Sequence, residues 1–227
     1  MNLRRLVAVA PVVLGVAAVA AIVWRVDTNG WGSLVWLGMA IAVPVIRAPF
    51  AKANQENVVT ERRAQGVERW LLAAVGLGAG AVPFLHLVTG VAAFADYDLP
   101  DWATAIGVVV AVVGLWLFWR SHVDLGRNWS VTLEVREEHT LVTGGVYRRV
   151  RHPMYSAIFV LYLATPLLVH NVIAGFAGLV AFGIMYIVRV PHEEAMMRDL
   201  FGDEYERYSQ RTGRLVPTAT RPDERLG

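Results

Sequence analysis

Cysteine is absent from the 227 residues, which removes disulfides, thiolate nucleophiles and cysteine-ligated zinc. Any chemistry falls to His, Asp, Glu, Arg and Tyr. Charge is also scarce: Asp, Glu, Lys and Arg make up 18% of the chain against 56% hydrophobic residues, with a mean hydropathy of +0.45. That balance is too apolar for the surface of a soluble domain. Six histidines form no His-x-x-x-His pair and no His/carboxylate cluster with ligand spacing, so no metal is expected. The net charge of +2 comes from basic residues divided among segments that flank apolar runs, so no nucleic-acid partner is expected.

What the chain does have is apolar length. A membrane span needs about 20 mostly apolar residues, and Leu6 to Trp24, Ser33 to Phe50, Trp70 to Phe94 and Trp102 to Trp119 supply four. Pro44 and Pro83 are placed to kink two of them. Arg4 and Arg5 ahead of the first run look superficially like a signal peptide, but 19 apolar or small residues exceed a usual h-region and predict a retained span. Tyr155 to Val169 and Val172 to Val188, separated by His170 and Asn171, form a tight helical hairpin. The first of these is roughly 22 Å long as a helix against a hydrocarbon core of about 30 Å. It must enter obliquely or borrow residues from its flanks.

All but two of the 21 basic residues fall in the N-terminus, the 51–69 and 120–154 loops and the segment after 189, which by the positive-inside rule puts both termini and those loops in the cytoplasm. Asp27, Asp96, Asp98 and Asp101 fall on the other side. The expected fold is all-α: a polytopic membrane helix bundle of five to six segments with a small cytoplasmic cap. Residues 1–120 form a four-span scaffold, 121–217 a cap loop, hairpin and amphipathic helix, and 218–227 a disordered tail. The Ala/Val/Arg usage suits a bacterial cell membrane, multi-pass.

The connector from His139 to Tyr155 is richer than a linker needs. Gly144 and Gly145 supply a turn that can take positive φ. Pro153 pushes His152 out of the helical region and opens the next helix, whose N-terminal amides face the membrane boundary. The structural alternative is a headgroup-facing loop, with Arg148, Arg149 and Arg151 on phosphates and Tyr147 and Tyr155 at the interface. Beyond the last apolar run, Arg189 and Glu193 stand four apart on one helix face. Met196, Met197, Leu200, Phe201, Tyr205 and Tyr208 then recur at helical spacing, as in an interfacial helix.

Four blocks together resemble the isoprenylcysteine carboxyl methyltransferase family and its bacterial and phospholipid-methyltransferase relatives. They are Gly126-Arg-Asn-Trp-Ser130, His139-x-Leu-Val-x-x-Gly-x-Tyr147-x-x-Val-Arg151-His152-Pro153-x-Tyr155, Arg189-x-x-x-Glu193-Glu194, and Phe201-Gly-x-x-Tyr205-x-x-Tyr208. The resemblance implies an S-adenosyl-L-methionine cofactor, leaving as S-adenosyl-L-homocysteine. It implies a cofactor site lined by His139, Thr140, Leu141, Val142, Gly145, Tyr147, His152, Pro153, Met154 and Tyr155, with Thr132 nearby and Glu193 on the cofactor's charged end. Arg189 is then the acceptor-binding and catalytic residue, with Glu194 orienting it or capping a helix start. The tail Arg211-Thr-Gly-Arg214-Leu-Val-Pro217 is more basic than the eukaryotic ending.

The implied activity is transfer of a methyl group to a lipophilic acceptor that enters laterally from among the membrane lipids, most readily a carboxylate as in prenylcysteine O-methylation. Arg189 suits an anionic acceptor. A phospholipid amine or a thiol would need a base, for which His152, His192 or Glu194 is available. Two other classes stand beside this one. An NADPH-dependent reductase of the sterol reductase kind shares the multi-span plan, but no Gly-x-Gly-x-x-Gly after a strand accompanies Gly144-Gly145. A transporter or scaffold would place charge at mid-span, whereas these charges lie near span ends. Oligomeric state is left open by the sequence.

Overall fold

The computed structural model describes residues 15–55, 59–62, 65–126, 134–136 and 140–218. Helix α1 spans Gly15–Trp24, followed by a single turn, α2, at Val26–Asn29. Then come α3 (Gly32–Gln55), α4 (Gln65–Gly76), α5 (Val82–Thr89) and α6 (Asp101–Leu125). The hairpin is α7 (Pro153–Leu168) and α8 (Val172–Phe201), and α9 covers Asp203–Arg211. A π-helical turn at Leu77–Ala81 joins α4 to α5, so Gly66–Thr89 makes one continuous stretch.

Four stretches are long and apolar enough to cross a bilayer, Gly32–Lys52, Gly66–Thr89, Asp101–Leu125 and Val172–Phe201, and α1 and α7 are shorter apolar helices. These coincide with the six segments read from the sequence. Of the first of them, residues 6–14 lie outside the described residues, as do 219–227 of the tail. Helix α7 is short because it is central. Ala157, Leu161, Ala164 and Leu168 are buried, and α3, α6 and α8 surround it. Lipid instead meets the outer faces of α6 and α8, where Val109, Val113, Trp116, Val180, Ile184 and Ile187 are exposed.

Lipid tails are as apolar as leucine, so helices in a bilayer associate through close van der Waals packing, for which small residues are needed. A Cβ on Gly107 would lie 2.8 Å from Leu167 Cβ, and one on Gly114 2.7 Å from Leu161 Cδ2, which locks α6 onto α7. Gly78 and Gly178 do the same between the π turn and α8: their added Cβ atoms would sit 2.7 Å from the Ala177 carbonyl oxygen and 2.9 Å from Ala79 Cα. At the hairpin end, Asn171 is fully buried. Its Oδ1 accepts from Ala174 N at 2.8 Å, capping α8, and its Nδ2 donates to Asp96 Oδ1 and to the Ala92 carbonyl.

Two features depart from the sequence reading. The stretch read as an interfacial helix after the last apolar run is continuous with α8 through Pro191 to Phe201, and the helix breaks only at Gly202, whose φ is +49°. Proline removes one helical hydrogen bond, and beside it the His192 ring Nδ1 bonds the Val188 carbonyl at 2.7 Å. Glu194 therefore lies inside a helix, and the reading of it as a helix-start cap is corrected. The second departure is a small antiparallel ribbon, β1 (Val59–Arg62) with β2 (Glu134–Arg136), bulged between Val59 and Glu61. It ties the connector after α3 to the connector after α6.

Candidate active site

At the end of the bundle where the basic connectors gather, a cavity of about 450 Å³ opens between α3, α4, α7 and α8 under a roof of loop 140–151 and α9. Its walls are of two kinds. Trp36, Met39, Ala40, Val43, Leu72, Val75 and Leu161 make an apolar inner part. Tyr147, Arg151, His152, Tyr155, Arg189 and Glu193 make a polar mouth. The π turn contributes Ala79 and Gly80 to the wall, small residues where a helical distortion opens space.

The roof is set by Gly145, whose φ is +59° and whose Cβ, if it had one, would sit 2.1 Å from Asp124 Oδ2. The backbone can thus reach Asp124, and Val146 N donates to Asp124 Oδ2 at 2.8 Å. Arg120 holds Asp124 in turn at 2.8 Å. The following 3-10 turn, Gly145–Arg148, buries Tyr147 against the cavity. Tyr208 of α9 donates its hydroxyl to the Tyr147 carbonyl at 2.7 Å. Burial pushes the Tyr147 phenol far above its usual range, and Tyr208 adds to the effect.

Arg189, Glu193 and Tyr155 meet inside the mouth. Glu193 Oε1 accepts from Arg189 Nε at 2.7 Å and from the Tyr155 hydroxyl at 2.7 Å, and Glu193 Oε2 lies 3.6 Å from His152 Nδ1. His152 stands at the N-cap of α7 with φ −122° and ψ 58°, the departure from helix that Pro153 enforces. Its Nε2 is 3.3 Å from Glu194 Oε1. Arg189 Nη1 meets Glu68 Oε1 of α4 at 2.8 Å.

Glu194 faces the other way. Only 3% of its side chain is exposed, and it receives Arg214 through Nε at 3.0 Å and Nη2 at 2.7 Å, together with Arg151 Nε at 3.3 Å. Arg151 also donates through Nη1 to the Ser209 carbonyl at 2.7 Å and to the Thr212 carbonyl. Residues 212–216 are laid along the connector by a parallel bridge between Val150 and Gly213 and by Ser156 Oγ on the Leu215 carbonyl at 2.6 Å.

Thr140, Leu141, Val142, Tyr147, His152, Met154, Tyr155, Arg189 and Glu193 thus share one cavity wall. Gly145, Pro153 and Glu194 stand behind it and hold it in place, and Thr132 and His139 lie outside the described residues. Arg151, a headgroup contact only in the structural alternative, lines the cavity. Glu68 and Arg47 were not singled out for the site. The available signal for Glu68 was a carboxylate in the first turn of an apolar helix, but the arginines around it gave the segment the look of a solvated connector.

The fold and the cavity define a polytopic integral membrane protein whose helices converge on a charged pocket at one membrane face. Within that class, residues 105–199 match the model of the "Isoprenylcysteine carboxyl methyltransferase (ICMT) family", so the chain is similar to that family through the stretch that builds most of the polar mouth. Protein-S-isoprenylcysteine O-methyltransferase B of Arabidopsis thaliana is 31% identical over 118 residues, covering 51% of this chain and 60% of the relative. The Mus musculus protein-S-isoprenylcysteine O-methyltransferase is 33% identical over 119 residues, covering 52% and 41%. The chain spans about three fifths of the length of the plant relative. A solved eukaryotic intramembrane Ras methyltransferase, ICMT, shares the fold with a TM-score of 0.50 and 22% identity, over 82% of this chain and 63% of that one.

Proposed function

We propose that this protein is an integral membrane methyltransferase that uses S-adenosyl-L-methionine to methylate a carboxylate on a lipophilic acceptor, of which a prenylcysteine is the model. The observation that carries the reading is the contact of Arg189 with Glu193 at 2.7 Å, at the junction between the polar mouth and the apolar inner chamber. A water-soluble cofactor and a lipid-tailed acceptor meet at such a junction. The family-matching segment and the shared fold support the same reading.

The residues present suit the cofactor. Glu193 offers a carboxylate to an ammonium, with its Oε2 directed toward His152. The backbone of 140–142 and the Tyr147 ring line the mouth beside it. S-Adenosylmethionine, when bound, supplies a methyl group on a positively charged sulfur. What the chain must do is orient and exclude water, because in-line displacement depends on alignment. Arg189 holds one oxygen of the acceptor carboxylate by a charge-assisted bond and leaves the other to attack. A carboxylate is ionised at neutral pH and needs no general base. Tyr155, by donating to Glu193, fixes the carboxylate that separates the two ligands.

By the positive-inside rule, the basic connectors at the cavity end support a reading with the mouth and both termini in the cytoplasm. The acceptor enters laterally between α3 and α4, whose residues form the inner chamber. An amine or thiol acceptor remains the second reading, and His152, flanked by Glu193 and Glu194, is the group placed to take its proton.

Calorimetric titration of the detergent-purified protein tests the class. Saturable binding of S-adenosylhomocysteine, reduced at least tenfold by Tyr147→Ala and little changed by Arg189→Ala, is expected, with NADPH giving no heat. Binding of NADPH in place of S-adenosylhomocysteine would overturn the methyltransferase reading. Methyl transfer to N-acetyl-S-farnesylcysteine but not to its amide identifies the carboxylate acceptor.

A further inference from the structure

Arg189 is gripped from two sides by carboxylates on different helices. Glu193, one turn further along α8, takes Nε at 2.7 Å, and Glu68, in the first turn of α4, takes Nη1 at 2.8 Å. Glu68 is 5% exposed, and a buried carboxylate persists only where its charge is answered. Its helix lies outside the 105–199 segment that matches the methyltransferase family.

We infer that Glu68 is a positioning residue for methyl transfer, fixing the plane of the Arg189 guanidinium so that an acceptor carboxylate is presented in line. This rests on the proposed function. Glu193 shares a helix with Arg189 and pairs with its Nε, whereas Glu68 pairs with Nη1 from a second helix. An ion pair to a second helix restrains the guanidinium from another side, where a carboxylate on its own helix cannot. The charges assign the roles further. Two carboxylates already surround one guanidinium, and an acceptor carboxylate would be a third. Glu193 is the one with further partners at the mouth, His152 Nδ1 at 3.6 Å and a cofactor ammonium. Glu68 stays as the standing partner of Arg189.

The inference separates binding from turnover. Glu68→Gln removes one negative charge beside the acceptor but lets the guanidinium turn. With N-acetyl-S-farnesylcysteine as the acceptor, kcat is expected to fall tenfold or more while acceptor KM stays level or drops. The affinity for S-adenosylhomocysteine should stay within about twofold. Glu68→Asp, which keeps the charge, should recover part of the lost kcat and serves as the test variant if Glu68→Gln does not fold. A kcat within twofold of wild type in Glu68→Gln, or equal losses of turnover and S-adenosylhomocysteine affinity in either variant, overturns the inference and leaves the proposed function standing. A wild-type protein that binds no S-adenosylhomocysteine overturns both.

Discussion

Arg214 reaches back across the mouth of the bundle to Glu194 with two parallel hydrogen bonds, Nε to Oε1 at 3.0 Å and Nη2 to Oε2 at 2.7 Å. The basic tail that set this sequence apart from the eukaryotic ending is therefore a tether in the case of Arg214. Arg211 is spent locally, its Nε on the Arg207 carbonyl at 3.1 Å.

Arg151 and Arg214, the arginines hydrogen-bonded to Glu194, should differ in weight. Arg151 is 13% exposed and also holds two backbone carbonyls, so Arg151→Ala removes the donor to the Ser209 and Thr212 carbonyls as well as one partner of Glu194 and costs about 2 kcal/mol. Arg214 is 50% exposed, so Arg214→Ala costs about 1 kcal/mol or less, and less still at high salt. Thermal unfolding in detergent at two salt concentrations measures both. Equal losses would contradict the asymmetry read from their exposure.

Gly145 is placed to decide where the roof sits. Alanine there must adopt φ +59° and meets Asp124. Gly145→Ala should therefore move loop 140–148 and weaken S-adenosylhomocysteine at least tenfold in calorimetry. The neighbouring Gly144, with φ −92° and nothing within 4 Å of an added Cβ, should accept alanine with little change. The pair is a test with its control one residue away.

Alkaline pH should loosen the roof. Burial pushes the Tyr205 phenol up to about 12, and Tyr147 and Tyr208 are also raised by burial. The unfolded chain releases these protons near pH 10, the folded chain only at higher pH. The stabilisation is full below about pH 10 and is lost as pH rises toward about 12, because the unfolded state then binds fewer protons. Tyr205→Phe should show a flatter fall in unfolding temperature across that window. A wild-type curve that stays level from pH 9 to 12 would contradict it.

The spans were legible because lipid imposes a simple rule: about 20 apolar residues with backbone hydrogen bonds satisfied internally. The mouth was legible in part, since Tyr147, His152, Tyr155, Arg189 and Glu193 belong to motif blocks with fixed spacing. Other features escaped for physical reasons. The continuity of α8 past Pro191 escaped because a proline's local cost is visible in sequence, while the His192 side chain bonding beside it is not. Glu194 looked like a cap because its partners, Arg151 and Arg214, lie 43 and 20 residues away. Glu68 is silent in sequence because its meaning depends on Arg189, more than a hundred residues later. A short ribbon between two connectors, with only four and three residues in its strands, is below what pattern can resolve.

The cavity draws on two parts of the chain. Its polar mouth comes mostly from the stretch that matches a known family, while Trp36, Met39, Ala40, Val43, Leu72 and Val75 of its inner chamber come from α3 and α4. Substitutions at those inner positions, with Glu68 kept, reshape the room for the tail of the proposed acceptor without touching the reacting end. On the proposed function, such a chain can exchange one hydrocarbon tail for another while the reacting end stays fixed, and swapping those inner residues of α3 and α4 between homologues, with Glu68 kept, is the direct way to retarget it.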